Sequence, residues 1–391
     1  MQKIISTEKI PIKMWLDEPE AGAMKQATNL ANLPFAFSHI CLMPDTHEGY
    51  GMPIGGVLAT NNVIVPNAVG VDIGCGMCAV KTNIKVSDLE RKQLTKIMTG
   101  IRELIPLGFN HQKDRQDETL MPQGYNIDEL VVVKRQYFAA LKQLGTLGGG
   151  NHFIELQYSN DGFLWIMVHS GSRNFGLQVA DYYNKKAKKL NEIYYPSLVN
   201  PKADLAFLPF ETDEAHLYYR EMKYCTEFAL ANRKLMMERI QQIVSTTLSN
   251  VIYESIINIA HNYATWEIHF DTKVIVHRKG ATSAKLGEIG IIPGSQGTKS
   301  YIVEGLGNPE SFMSCSHGAG RVMSRSAAIR NLNLEEEKRK LDDLGILHSI
   351  RGKSDLEEAS SAYKDISQVM ALQTDLVKIK VELSPLAVVK G

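Results

Sequence analysis

Apolar side chains recur at two spacings along the chain, and the switches between them mark its elements. A short extended stretch opens the sequence, and a helix is predicted near residues 20–31. Ile40 to Met43 reads as an apolar strand running into a Pro/Asp/Gly cluster. Residues 49–76 are dense in glycine and carry short β-branched runs, as strands joined by tight turns do. Helical spacing returns over 87–104 and 128–144, and strands at 152–157 and 163–168 follow Gly148-Gly149-Gly150. Long helices are predicted over 176–193 and 213–248, strands over 266–277 and 299–304, and helices over 319–330 and 334–344. The stretch from Leu376 to Val389 reads as β. No βαβ rhythm and no internal repeat is visible, so the pattern predicts an α+β fold.

Composition narrows this picture. The 391 residues are 44% hydrophobic, ample for a large core. No Pro/Ser/Gly-rich linker interrupts them, so one continuous domain over 1–391 is expected. Lys plus Arg and Asp plus Glu both number 43, so a nucleic-acid surface must be a local patch. No apolar run spans a bilayer, and the opening MQKIISTEKI lacks signal-peptide character. Cys41, Cys75, Cys78, Cys225 and Cys315 form a sparse, odd set suited to a reducing compartment. A cytoplasmic enzyme is the expectation.

Six segments carry side chains suited to chemistry. Gly70-Val71-Asp72-Ile73-Gly74-Cys75-Gly76 sets a carboxylate and a thiol three residues apart on a permissive backbone, so both can face one ion. Alone, it reads equally as a buried cysteine in a turn. Gly148-Gly149-Gly150-Asn151-His152-Phe153-Ile154-Glu155 delivers an Asn, a His and a Glu at a strand start, where a lone His is more often a hydrogen-bonded core residue. Val168-His169-Ser170-Gly171-Ser172-Arg173 suits a metal ligand beside a phosphate contact, since guanidinium meets phosphate as a planar fork. His277-Arg278-Lys279-Gly280-Ala281-Thr282 repeats that design, with a solvated strand end as the plain alternative.

The loop Gly294-Ser295-Gln296-Gly297-Thr298 offers backbone N–H groups to a phosphate but is no Walker A sequence. In Ser314-Cys315-Ser316-His317-Gly318-Ala319-Gly320-Arg321 a His precedes a predicted helix, so an anion on it would meet the helix end and Arg321. Neutral histidine is nucleophilic, and a phosphoramidate formed on it keeps high transfer potential. Taken together, these segments read as a site with one or two metal ions acting on phosphate groups. Ligand softness alone favours zinc.

In this order the six segments resemble the RtcB family of RNA-splicing ligases, and Pro44-Asp45-Thr46-His47-Glu48-Gly49 and the closing Val389-Lys390-Gly391 fit it too. The likeness covers essentially the whole chain, and its wording is similar to the compact bacterial branch. It implies an RtcB-type fold, a central β-sheet core flanked by helices and loops. It also implies a reaction. GTP guanylylates a histidine, the guanylate passes to an RNA 3′-phosphate, and a 5′-hydroxyl attacks to expel GMP, after any 2′,3′-cyclic phosphate has been opened. Carried over residue by residue, His317 is the nucleophile, and Asp72, Cys75, His152, His169 and His277 hold two manganese ions. Asn151, Glu155, Gly294, Ser295, Gln296, Gly297, Thr298, Gly318, Ala319, Gly320 and Lys390 hold the guanylate. Asp45, Arg173, Arg321 and His261 fall near the RNA end, with a core histidine as the other reading of His261. Manganese here replaces the zinc that ligand softness favours.

The chain departs from many relatives in the Asn-Phe-Gly that follows Arg173, and residues 195–212 read as a variable loop; both bear on substrate choice. Two other classes would leave different residues behind. A phosphohydrolase opening cyclic phosphates would need neither His317 nor Lys390, and a non-catalytic RNA-binding protein would have lost ligands that this chain keeps. A monomer is expected. tRNA halves, cleaved ribosomal RNA and damaged transcripts all present the required ends.

Overall fold

Strands with apolar side chains on both faces must be covered on both faces, and two such strands set the architecture. Phe153–Ser159 and Phe163–Ser170 are buried along nearly their whole length. On one face Ile154, Leu156, Ile166 and Val168 pack against Ile97, Ile101, Met237 and Ile240 from two helices. On the other, Phe153, Trp165 and Met167 meet Ile302 and Leu383. The period of two thus feeds two separate cores.

The computed structural model describes residues 1–198 and 200–391; Val199, inside the 195–212 segment expected to vary, lies outside the described residues. A seven-stranded antiparallel sheet runs in the order Ile257–Ala260, Gly76–Lys85, Phe163–Ser170, Phe153–Ser159, Val377–Lys390, Ser300–Gly305, Ile289–Ile292. A six-stranded sheet runs Lys3–Ile5, Ile12–Met14, Ala36–His47, Ile54–Thr60, Thr272–Lys279, Asn262–His269, with one parallel pair. The chain crosses between the two sheets at His261, whose N–H donates to Cys75 O at 2.8 Å. Helices Ala21–Ala31, Arg91–Leu104, Val131–Gln143, Arg173–Tyr194 and Asp213–Thr247 flank these sheets. The fold is α+β, a β core covered by helices and loops, as expected.

Helix Asp213–Thr247 starts at Thr212, whose side chain accepts from Ala215 N–H. Its buried stripe includes Tyr218, Met222, Cys225, Phe228, Met236 and Ile240, and also three polar residues, Glu221, Asn232 and Arg233.

Two predicted elements differ from those observed. The single strand expected over 266–277 is a hairpin, because Phe270 and Asp271 both take positive φ (49° and 59°) and turn the chain. The helix expected over 319–330 is confined to Arg325–Asn331, capped by Ser324. His317 instead follows the short strand Ser314–Ser316, so the expected support from a helix end is absent.

Candidate active site

Antiparallel register gathers the chemical side chains at one end of the seven-stranded sheet. Gly76 pairs with both Ala260 and Ser170, and His169 pairs with Met77 and Phe153. Cys75, His152, His169 and His261 therefore lie at or just beyond the ends of four neighbouring strands. Gly76 is required there, since a Cβ would collide with Ile259 O across the sheet.

The donor atoms converge. Cys75 Sγ lies 3.2 Å from His169 Nε2 and 3.5 Å from His152 Nε2, and His152 Nε2 lies 3.1 Å from Asp72 Oδ2. His169 Nε2 is also 3.4 Å from His261 Nε2. The other nitrogen of each ring fixes its tautomer: His152 Nδ1 donates to Leu147 O at 3.0 Å and His169 Nδ1 to Asn151 O at 3.1 Å. Both Nε2 atoms then present lone pairs towards a sulfur and a carboxylate, a set of donor atoms that suits a cation. Cys75, His152 and His169 form a group able to hold a metal, with donor atoms within 4.8 Å of one another. Burial, then the Asp72 carboxylate, pushes the Cys75 thiol well above its usual range, a penalty that bound metal would reverse. Burial followed by neighbouring imidazoles holds His169 and His261 well below theirs, so both remain neutral donors.

His277 does not join this group. Its ring is fully buried in the six-stranded sheet, where Nε2 accepts from Val65 N–H at 3.0 Å and Nδ1 donates to Leu58 O at 3.1 Å. With both nitrogens bonded to backbone, no lone pair remains for an ion. The expectation that His277 binds metal is corrected: His261 stands where that ligand was expected.

His317 sits beside the cluster, its ring centroid 4.7 Å from that of His261. Asp45, fully buried, accepts from His317 Nδ1 at 2.7 Å, His317 N–H at 3.1 Å and Gly318 N–H at 3.3 Å, all through Oδ2. Burial alone would raise the Asp45 carboxyl, but the facing imidazole outweighs it and the pKa is lowered. With Nδ1 bonded to Asp45, the other ring nitrogen, Nε2, is the one left for chemistry. Gly320, at φ 74°, turns the chain tightly against Asp45, where a Cβ would meet its carbonyl oxygen.

A second group lies along the same sheet. Glu155 is buried, and its pKa is raised by that burial to about 7 despite Lys390 and a 2.6 Å hydrogen bond from Gln157. Lys390 Nζ is 5.6 Å above the Phe153 ring and 3.6 Å from Glu358 Oε2. Gln296 donates to Glu358 O at 2.9 Å, while Gln296 Oε1 and Gln157 Oε1 are buried without a partner among the described residues. The Gly294–Thr298 loop folds on itself. Gly294 N–H meets Ser300 Oγ at 3.2 Å, Ser295 N–H meets Thr298 Oγ1 at 2.7 Å and Thr298 N–H meets Ser295 O at 3.1 Å, so those groups are not free to cradle a phosphate.

Arg321 is likewise committed. Its guanidinium binds Met323 O at 3.0 Å, Glu358 Oε1 at 3.2 Å, Tyr363 Oη at 3.3 Å and Glu357 O at 2.5 Å, which makes it an anchor for residues 353–363 rather than a contact for an RNA end. Arg173, at φ 60°, packs against the Gly148 loop and binds Thr146 Oγ1 at 3.1 Å and Gly108 O at 2.9 Å.

Sequence reasoning missed Asn232 and Arg233. Arg233, fully buried, donates to Gly74 O at 2.8 Å, Ser170 O at 2.7 Å, Ile259 O at 3.0 Å and Asn258 Oδ1 at 2.8 Å. It thereby ties together the three chain segments that carry Cys75, His169 and His261. Asn232 braces the turn before the Gly148 loop, through Gly145 N–H at 2.7 Å and Thr146 N–H at 3.1 Å. Their only sequence signal was a polar pair on the buried stripe of an amphipathic helix.

The geometry sets a group able to hold a metal ion beside a histidine oriented by a buried carboxylate. Comparison with known proteins gives the family. The family profile "tRNA-splicing ligase RtcB" matches residues 26–138 and 122–391. "RNA-splicing ligase RtcB" of Escherichia coli K12 is 39% identical, covering 100% of this chain and 99% of that protein. "tRNA-splicing ligase RtcB" of Thermococcus kodakarensis is 30% identical, covering 98% and 95%. The chain belongs to the RtcB family of RNA-splicing ligases. No helix among the described residues is long and apolar enough to cross a membrane.

Proposed function

We propose that this protein is a GTP- and manganese-dependent RNA ligase that joins RNA 3′-phosphate or 2′,3′-cyclic phosphate ends to 5′-hydroxyl ends. Family membership supports RNA joining. The observation that carries the finer reading is the Asp45–His317 pair, 2.7 Å apart, which frees His317 Nε2 next to the metal-competent cluster.

His317 Nε2 attacks the α-phosphorus of GTP; an N–P bond forms and the bond to pyrophosphate breaks. Asp45 keeps the proton on Nδ1 and offsets the charge that develops on the ring, as a buried carboxylate does for other catalytic histidines. The guanylate then moves from His317 to an RNA 3′-phosphate oxygen, and the 5′-hydroxyl attacks that activated phosphorus with loss of GMP. Asp72, Cys75, His152, His169 and His261 would hold two manganese ions, which when bound neutralise phosphate charge and align the reacting groups. Glu155, beside Lys390, would accept the N1 and N2 protons of guanine, a pairing that adenine cannot make. Asn151, the side chains of the Ser295–Thr298 loop and the Gly318–Gly320 turn would bound the rest of the nucleotide.

Incubation with radiolabelled GTP and Mn²⁺ tests the reading. Label should stay on the wild type and be absent from His317→Ala, and equal labelling of both would overturn the assignment. A paired assay offers RNA ends bearing a 3′-phosphate and a 5′-hydroxyl. Joining is expected; phosphate removal without joining would point to a hydrolase instead.

A further inference from the structure

A chain of zero net charge must gather its cations locally if it is to follow an RNA strand. One such surface begins at the rim of the site. Gly108 N–H donates to Gly148 O at 3.0 Å and Gly108 O accepts from Arg173 at 2.9 Å, so the next residue, Phe109, is held beside the loop that carries His152. Phe109 is 98% exposed, an aromatic ring in water that contributes nothing to packing.

From there the surface continues onto two helices. Gln112 N–H to Lys142 O at 2.8 Å and Gln116 N–H to Leu141 O at 3.1 Å fasten the Phe109 loop to the end of helix Val131–Gln143. On that helix Phe138, 55% exposed, lies 4.5 Å beneath the Arg115 guanidinium. One turn back, Arg135 lies 5.8 Å from the Tyr182 ring of helix Arg173–Tyr194. A groove of about 400 Å³ follows between the two helices, lined by Arg135, Lys185, Lys186 and Lys189 against one carboxylate, Asp181. Asp181 pairs with Lys185 at 2.7 Å and Glu214 with Lys186 at 3.4 Å, while Arg135 and Lys189 have no carboxylate partner among the described residues. Helical rise puts Lys189 ~24 Å from Arg173, so the track leads outward from the metal cluster.

Exposed rings alternating with cations are what a flexible nucleic-acid strand uses: bases stack on the rings and phosphates meet the charges. Building on the RNA-ligase reading, we propose that Phe109, the Arg115–Phe138 and Arg135–Tyr182 pairs and the Lys185–Lys189 groove form a track for single-stranded RNA flanking the end to be joined. Phe109 stacks the nucleotides nearest the cluster, and the groove holds phosphates several nucleotides away.

The test is fluorescence anisotropy on the full chain, without GTP or metal, using oligoribonucleotides of four and twelve nucleotides that bear a 3′-phosphate. Phe109→Ala should weaken both by about tenfold. Arg135→Gln/Lys189→Gln should weaken only the longer strand and make its salt dependence shallower by about 1.4 in log–log slope, the share of two phosphate contacts. All three positions are exposed, so the fold should persist, checked by circular dichroism. A twelve-nucleotide strand bound by both variants as tightly as by wild type overturns the track, and would assign the groove to another partner such as an acidic protein. The joining assay separates the two levels. Wild type that joins ends while the variants bind normally sinks the track alone, whereas wild type that neither binds nor joins sinks both.

Discussion

Removing one histidine at a time separates ligand from scaffold. His277→Ala deletes a fully buried ring bonded at both nitrogens, to Val65 N–H and Leu58 O. Stranding the Val65 donor costs about 1–3 kcal/mol, and emptying a packed ring-sized space adds about 2 kcal/mol. The expected loss is about 3–5 kcal/mol, a large share of the 5–15 kcal/mol typical of folded proteins. Affinity of the folded fraction for Mn²⁺ should nonetheless stay within about twofold, as for a distant independent site. His261→Ala reverses the pattern. Its Nδ1 has no partner among the described residues and its Nε2 faces His169, so few bonds are lost, but a proposed metal donor disappears. Changes to groups that merely orient a ligand already cost about 10–100-fold in metal affinity, so removing a donor should cost at least about 100-fold. Urea unfolding of chelator-treated protein reads the first quantity, and calorimetric titration with Mn²⁺ reads the second. A His277→Ala protein of wild-type stability that fails to bind Mn²⁺, or a His261→Ala protein that binds it normally, would refute the reassignment.

Other expectations follow from the same geometry. Asp45→Asn removes the carboxylate charge that faces His317 Nδ1 and can offer the ring an amide N–H instead, so transfer of labelled guanylate to the protein should slow by about 10²–10⁴-fold with secondary structure intact. Arg233→Met leaves three backbone carbonyls without their donor, so Mn²⁺ affinity should fall by about 10–100-fold in a protein that still folds; unchanged affinity would deny Arg233 its positioning role. Glu155 has a pKa of about 7 in the fold against a usual 4.5, so the native state keeps a proton that the unfolded chain has released between those values. Its contribution to stability therefore declines as pH rises through that window, while guanine binding by its carboxylate strengthens. Affinity for GTP should rise about tenfold from pH 6 to pH 8, and Glu155→Gln should flatten that rise. Arg321→Ala should speed limited proteolysis within residues 353–363 and leave RNA affinity within about twofold, because this guanidinium is committed to that segment.

The long amphipathic helices and the apolar strands were legible because burial imposes its period on sequence directly. Arg91–Leu104 and Asp213–Thr247 lie within a few residues of their predicted bounds. The Phe270–Asp271 turn was not, since nothing in Phe-Asp announces positive φ at both positions as Asn-Gly would. Site residues followed the same division. Cys75, His152 and His169 stood in glycine-rich contexts and meet in space. His261 and His277, sixteen residues apart in similar β surroundings, could not be told apart, because what distinguishes them is the bonding of their ring nitrogens across two different sheets. Asp45 and His317 lie 272 residues apart in sequence, a pairing that no local pattern encodes.

Cys75, His152, His169 and His261, the donors proposed for the metal, lie at the ends of four neighbouring strands, and this has a kinetic corollary. His261 is brought to Cys75 by the pairing of Ile257–Ala260 with Gly76–Lys85, two strands far apart in the chain. An ion captured by the finished set would be absent from earlier folding stages, so it would act as a late latch. Removing it should leave the folding rate nearly unchanged and hasten unfolding, with the chain unable to hold the ion tightly until that long-range pairing has formed.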